Sequence, residues 1–255
     1  MRVKILASGS KGNCTYVECG SAKFLIDVGI SFLQVKKELE DISVDINSLD
    51  FILLTHTHSD HIKGLKTLVS KTKIKVCASL ELIEELKDKF NLQYVTIIYD
   101  CFDYKGIDIK LIPLSHDVPC YGFNIKYEDN KLVYITDTGY LNRRYFSMIS
   151  NADVYIIESN HDEKILMNGN YPYILKQRII GDKGHLSNSM AASILKKVIG
   201  YRTKYIFLAH LSEENNTKEL AFEEFAKSLQ ETDFDIERLI VTDQYLSTGM
   251  VEILW

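Results

Sequence analysis

The chain is short of the residues that mark secreted, fibrous or membrane-spanning proteins. Proline occurs three times, at Pro113, Pro119 and Pro172, tryptophan once, and cysteine five times in 255 residues. With no Gly/Ser/Pro-rich tract, nothing reads as a linker, and one folded domain over residues 1–255 is expected. Cys14, Cys19, Cys77, Cys101 and Cys120 are odd in number, dispersed, and contain no CxxC pair. That excludes a disulfide framework and makes a reducing cytoplasm the expected setting. No apolar run approaches the ~18–20 residues of a membrane span, so no membrane partner is expected. The opening run Met1–Ala7 turns polar at Ser8, too soon for a signal-peptide core.

What is present is ordinary for a globular protein, with 46% hydrophobic and 25% charged residues and a net charge of −5. A chain of this length buries ~70–75% of its unfolded surface. The charge is uneven. From Glu213 to Glu237 nine acids stand against Lys218 and Lys227, a local −7 that leaves the remainder mildly basic. Lys63, Lys66, Lys71, Lys73 and Lys75 fall in a stretch without an acid, so global acidity does not exclude a polyanionic partner.

Short β-branched runs predict strands at 3–6, 15–18, 23–26, 51–54, 74–77, 107–113, 122–127, 132–135, 154–158, 205–208 and 236–241. Helical periodicity predicts helices at 31–40, 62–69, 80–90, 142–149, 173–180, 189–199 and 217–229. Interleaved strands and helices indicate an α/β or α+β sandwich. Two segments echo each other. Phe24–Gly29 and Val133–Gly139 both run from an apolar strand into Asp-x-Gly, at Asp27 and Asp137. Phe51–His56 and Tyr205–His210 both run from an apolar strand into histidine.

The informative stretch is His56-Thr57-His58-Ser59-Asp60-His61, directly after a wholly apolar strand. Imidazole and carboxylate suit borderline divalent metals. Alternation on an extended segment puts His56 and His58 on one side, and Asp60 and His61 turn with the loop toward a neighbouring position. Four ligands split in this way suit two adjacent cations. Zn²⁺ heads the expectation, and Mn²⁺ and Fe stay open.

With this HxHxDH motif behind a strand, the chain resembles the metallo-β-lactamase superfamily. The resemblance implies a four-layer αββα sandwich with a dinuclear site at one rim. It also implies that His116 completes the first metal's ligands with His56 and His58. His210 completes the second metal's ligands with Asp60 and His61, Asp137 bridges, and the buried Asp27 orients a ligand. Ser8–Asn13, Glu158-Ser159-Asn160-His161, Gly184–Asn188 and His210–Asn216 are similar to the marks of the bacterial YycJ/WalJ-like branch, relatives of tRNase Z and RNase J. Asp137 in place of cysteine disfavours lactam cleavage, and His58 in place of glutamate disfavours a flavodiiron site. The 73 residues from Asp137 to His210 are too few for the extra domain of RNase J, and the 45 after His210 are too few for the helical domain of glyoxalase II.

The resemblance makes metal-assisted hydrolysis of a phosphodiester the leading expectation: a nuclease on DNA or RNA ends, exonuclease more naturally than endonuclease. A thioester or lactone hydrolase is the alternative, and a metal-bound regulatory protein without turnover a third reading. Asp60 is expected to orient the nucleophile, and His185, before an apparent helix start, to protonate the leaving group. Substrate contacts are expected from Ser8, Ser10 and Asn13 in a glycine-rich anion nest, from Ser187 and Asn188 at a helix N-terminus, and from His161. Tyr171 and Tyr173 with Lys176, Arg178 and Lys183, and separately Arg143-Arg144, are further candidates for following a nucleic-acid strand. The sequence leaves the oligomeric state open.

Overall fold

A computed structural model describes residues 1–253. The chain forms two compact units, Met1–Leu111 with the segment from Asp243, and Ile112–Thr242.

In the first unit, strands β1 (Arg2–Ala7), β2 (Cys14–Cys19) and β3 (Ala22–Ile26) form an antiparallel meander. From β3 the sheet turns parallel, through β4 (Phe51–Leu53), β5 (Lys75–Ala78) and β6 (Val95–Ile97). Parallel neighbours need crossovers, which helices α1 (Phe32–Glu40), α2 (Ser59–Ile62), α3 (Leu65–Lys71) and α4 (Leu80–Lys89) provide. Ser31 and Gln34 close a capping box on α1, and Ser79 caps α4, so both helices start where the chain leaves the sheet. Every residue of β4 is buried, and the Phe51 ring stacks on Phe24 at 4.6 Å. This explains why these strands read as continuous apolar runs.

Strands β7 (Cys101–Tyr104) and β8 (Ile107–Leu114) form a hairpin, with β8 carrying the chain into the second unit. There β9 (Cys120–Tyr127) and β10 (Asn130–Ile135) pair antiparallel. Strands β11 (Val154–Glu158), β12 (Tyr205–Ala209) and β13 (Leu239–Val241) then add in parallel. A short α5 (Phe146–Ile149) and helices α6 (Glu163–Asn168), α7 (Tyr173–Ile180), α8 (Asn188–Val198) and α9 (Lys218–Leu229) complete the unit. Ala191, Leu195 and Val198 of α8 share a core with Ala221, Phe225 and Leu229 of α9 and with Tyr155, Ile157 and Leu208 of the sheet. The first sheet runs β14-β1-β2-β3-β4-β5-β6, where β14 is Val251–Glu252, and the other runs β13-β12-β11-β10-β9-β8-β7.

Several expectations shift. The helix expected at 62–69 is two helices, because Gly64 breaks the run and donates its amide to Val28 O. The segments expected as helix 142–149 and strand 236–241 each open with a 3₁₀ turn. Strands β6, β7 and β14 carried no signal; β6 and β14 are very short, and edge strands depend on their partner's ladder more than on their own pattern. Helix α6 was missed as well, although Asp162 caps it. The echo holds for the aspartates: Asp27 and Asp137 both follow the strand where antiparallel pairing gives way to parallel, with φ of 59° and 60°. It fails for the histidines. His56 follows the first parallel neighbour of that strand and His210 the second, with β11 intervening.

Candidate metal centre

In the first unit the chain after β4 makes one extended step and then a helical turn. His58 is the N-cap of α2, at φ −64° and ψ 151°, so Asp60 and His61 sit in the first turn of that helix rather than in an open loop. The buried Asp27 carboxylate organises the group. Its Oδ1 accepts the Thr55 amide at 2.9 Å, and its Oδ2 accepts the Thr55 hydroxyl and His61 Nδ1, both at 2.8 Å. Since that hydroxyl donates to Asp27, it accepts from His56 Nδ1 at 3.0 Å. Both imidazoles therefore carry their proton on Nδ1 and present Nε2 as the lone-pair nitrogen, the tautomer a metal needs. The rings of His58 and His61 lie 4.7 and 4.0 Å from that of His56, and His61 Nε2 is 3.4 Å from Asp60 Oδ2.

Close backbone approach makes this possible. A Cβ on Gly29 would lie 1.7 Å from the Asp60 carbonyl oxygen and 2.4 Å from the Asn13 amide nitrogen. Gly29→Ala is therefore expected to cost about 3 kcal/mol or more, because backbone rather than a flexible side chain must move. Thermal unfolding checks this, and a melting temperature within a degree or so of the parent would contradict the packing.

In the second unit the buried Glu158 takes the organising role. Its Oε1 accepts His185 Nδ1 at 2.8 Å and His210 Nδ1 at 2.9 Å, while its Oε2 accepts the Thr138 and Leu186 amides at 3.1 and 3.0 Å. Burial alone would raise this carboxyl, but the two histidines reverse the effect and hold it well below the usual carboxylate range. Burial likewise opposes charge on His185, yet Glu158 lifts its pKa above the ordinary histidine value. Asp137, Glu158, His185 and His210 bring ligand atoms within 4.8 Å of one another. His116 is buried, with Nε2 3.3 Å from Asp117, and burial lowers its pKa, favouring the neutral ring that coordinates metal. Neutral imidazoles and ionised carboxylates are the donor set that two divalent cations require, so the residues of each unit fit such a group.

The expected substrate residues fare differently. In the Ser8–Asn13 loop, expected as an anion nest, five of the six amides are engaged by the chain itself. Ser8 N donates to Asp243 O, Gly9 N to Asn13 Oδ1, Lys11 N to Gln244 Oε1, Gly12 N to Gly9 O and Asn13 N to Asp60 O. Asn13 instead holds Asp60 and His61, with Nδ2 at 3.2 Å from Asp60 Oδ2 and 2.9 Å from His61 Nε2. Ser8 is buried, and Ser10 is the exposed tip. Ser187 is a buried N-cap whose hydroxyl also binds Glu163, a carboxylate that would repel an anion arriving there. Asn188 is buried in a reciprocal amide pair with Asn216 and accepts the Ser159 hydroxyl. His161 is buried beside Ser187 in a β-bridge. Lys176 is also structural, its ammonium donating to the carbonyls of Met167 and Gly169. The segments 158–161, 185–188 and 210–216 thus lock one another, and Asn160 secures the His210 carbonyl at 2.9 Å.

Sequence reasoning missed the roles of Glu158, Thr55 and Asn160. Glu158 stands in the Glu158–His161 motif, but nothing in its spacing ties it to His185 or His210.

Residues 22–210 match the model of the beta-lactamase superfamily domain. The chain is 37% identical over 243 residues to exodeoxyribonuclease WalJ of Streptococcus pneumoniae serotype 2, covering 92% of this chain and 90% of that protein. It is 36% identical over 242 residues to exodeoxyribonuclease YycJ of Bacillus anthracis, covering 92% of each. The metallo-β-lactamase fold protein YhfI of Bacillus subtilis superposes with a TM-score of 0.71 at 18% identity, over 97% of this chain and 99% of that one.

Proposed function

Because the chain belongs to the beta-lactamase superfamily, we propose that it is a metal-dependent exodeoxyribonuclease, using two divalent cations, Zn²⁺ first and Mn²⁺ or Fe as substitutes. The observation that carries this reading is the tautomer control at His56, His61 and His210. Asp27, Thr55 and Glu158 hold each Nδ1–H, an arrangement that serves a ligand and has no use in a surface histidine. Full-length likeness to exodeoxyribonucleases favours DNA as the substrate.

In this reading His56, His58, Asp60 and His61 of the first unit and His116, Asp137 and His210 of the second are the ligands, with the chain working as one domain. Two bound cations would lower the pKa of a water to about 7 and neutralise charge on the phosphodiester. The protein's own groups supply the rest. Asp60, steadied by the Asn13 amide, accepts a hydrogen bond from the attacking water and aims it. His185, whose side chain is 23% exposed, is fixed at Nδ1 by Glu158, whose charge favours the imidazolium, and in that form offers its Nε2–H to the leaving oxygen. All five cysteines are free thiols, which fits a reducing cytoplasm. No helix among the described residues is long and apolar enough to cross a membrane.

The test is end-labelled single- and double-stranded DNA and RNA offered to protein stripped by a chelator and to protein reloaded with Zn²⁺ or Mn²⁺. Reloaded protein is expected to shorten DNA progressively from an end, and stripped protein to leave it intact. Intact DNA beside rapid thioester or lactone hydrolysis would overturn the reading.

A further inference from the structure

Two loops meet where Asp137 Oδ1 lies 3.9 Å from His185 Nδ1, and the chain that follows each of them lines a groove. One wall is formed by Tyr140, Leu141, Arg143 and Phe146, beginning three residues after Asp137; the other is α8, which begins three residues after His185. A groove of about 360 Å³ lies between them, with Phe146, Met190 and Ile194 in its apolar lining. The loop is held tightly at its inner end. A Cβ on Gly139 would come within 2.1 Å of the Gly181 carbonyl oxygen, and the Thr138 hydroxyl donates to Tyr140 O at 2.8 Å. Tyr140 is 46% exposed, so its ring stands at the mouth rather than in the core.

The charge here is unlike that of the whole chain. In a protein with 35 acids against 30 bases, no carboxylate lines this groove, Glu163 lying behind the lining residue Ser189 at 2.8 Å, while Arg143 and Lys197 do line it. Neither cation has an ion pair among the described residues, whereas Lys196, one position away, is paired with Glu231 at 2.9 Å. An exposed aromatic, an apolar floor and two uncommitted cations are the requirements for an unpaired nucleic-acid strand: a surface for base faces and charges for its phosphates. A duplex hides those base faces in its stack.

We propose that this groove receives one unpaired DNA strand and leads its scissile phosphate to the Asp137–His185 pair, so that the preferred substrate is single-stranded or has a frayed end. This rests on the nuclease reading and deepens it by naming the form of the substrate. Tyr140 stacks on a base, and Arg143 and Lys197 hold flanking phosphates.

The test compares Tyr140→Ala and the double variant Arg143→Glu/Lys197→Glu with the parent. Each is measured on a single-stranded oligonucleotide and on bis(p-nitrophenyl) phosphate, which is too small to reach the groove. Against the oligonucleotide, kcat/KM is expected to fall about tenfold or more for each variant. Small-substrate hydrolysis should stay within about twofold, since the reacting groups are untouched. The double variant should also flatten the salt dependence of oligothymidylate binding by about 1.4 in log–log slope, for two lost phosphate contacts. A parent that cuts no DNA overturns the nuclease reading and the groove with it. A parent nuclease whose variants degrade the oligonucleotide equally well, or lose both substrates in proportion, overturns the groove alone.

Discussion

Replacing His58 by alanine is expected to abolish DNA and bis(p-nitrophenyl) phosphate hydrolysis while leaving the fold intact. The two outcomes separate because of where His58 sits. Its backbone caps α2, through a carbonyl that accepts the His61 and Ile62 amides, and its side chain makes no capping hydrogen bond. Alanine keeps that backbone role. The half-exposed imidazole is surrendered, and with it one ligand of the proposed first metal. Losing a group that merely supports a ligand costs ~10–100-fold in metal affinity or activity, so losing the ligand itself should exceed about a hundredfold. Metal analysis of the purified variant, turnover on both substrates and a thermal melt check this together. A variant that retains both metals and cleaves DNA at the parental rate would remove His58 from the site.

The second large effect is expected at Glu158, replaced by glutamine. The carboxylate has no exposed surface and accepts four hydrogen bonds, from His185, His210 and the amides of Thr138 and Leu186. Glutamine conserves volume but substitutes a donating NH₂ for one acceptor oxygen, so one pair of partners must face a donor with their own donors. Stability should fall by about 2–4 kcal/mol, the range for disrupting a buried charge-assisted network. Activity on DNA should fall by about a hundredfold, because the tautomer and aim of two histidines are lost at once. A purely structural role is distinguished by the leaving group. DNA expels an alkoxide that needs a proton, whereas nitrophenolate leaves without one. His185→Ala should therefore suppress DNA cleavage much more than bis(p-nitrophenyl) phosphate hydrolysis, and Glu158→Gln should show the same bias. Equal losses on both substrates would remove proton donation from His185 and leave Glu158 a scaffold role only.

The sequence alone determined the strongest part of this picture. His56-Thr57-His58-Ser59-Asp60-His61 behind an apolar strand is a local signal, since its imidazoles and carboxylate are neighbours in the chain and one backbone geometry brings them together. The parallel strands other than β6 were also legible, because strands buried on both faces must be apolar throughout and so stand out. The outlying positions His116, Asp137 and His210 came from their order along the chain and the family resemblance.

Tertiary structure decided what stands behind those groups. Glu158 reads in sequence as the polar end of an apolar strand. Its role arises only because β11 lies between β10 and β12, with Ile157 paired to Ile135 on one side and Leu208 on the other. Parallel strands sit ~4.8 Å apart, so that register puts the residues following all three within reach of one another, although 73 positions separate the outer two. The same holds for Asn13 and Asp27, which meet the helix of Asp60 and His61 only because Gly29 lets two backbones touch. It holds in reverse for Lys176, Ser187 and Asn188. Their chemistry suggested a substrate, but burial turned each toward a carbonyl, a carboxylate or an amide of the chain itself. Residue type states what a side chain is able to bind, and packing decides whether the partner is a ligand or the protein.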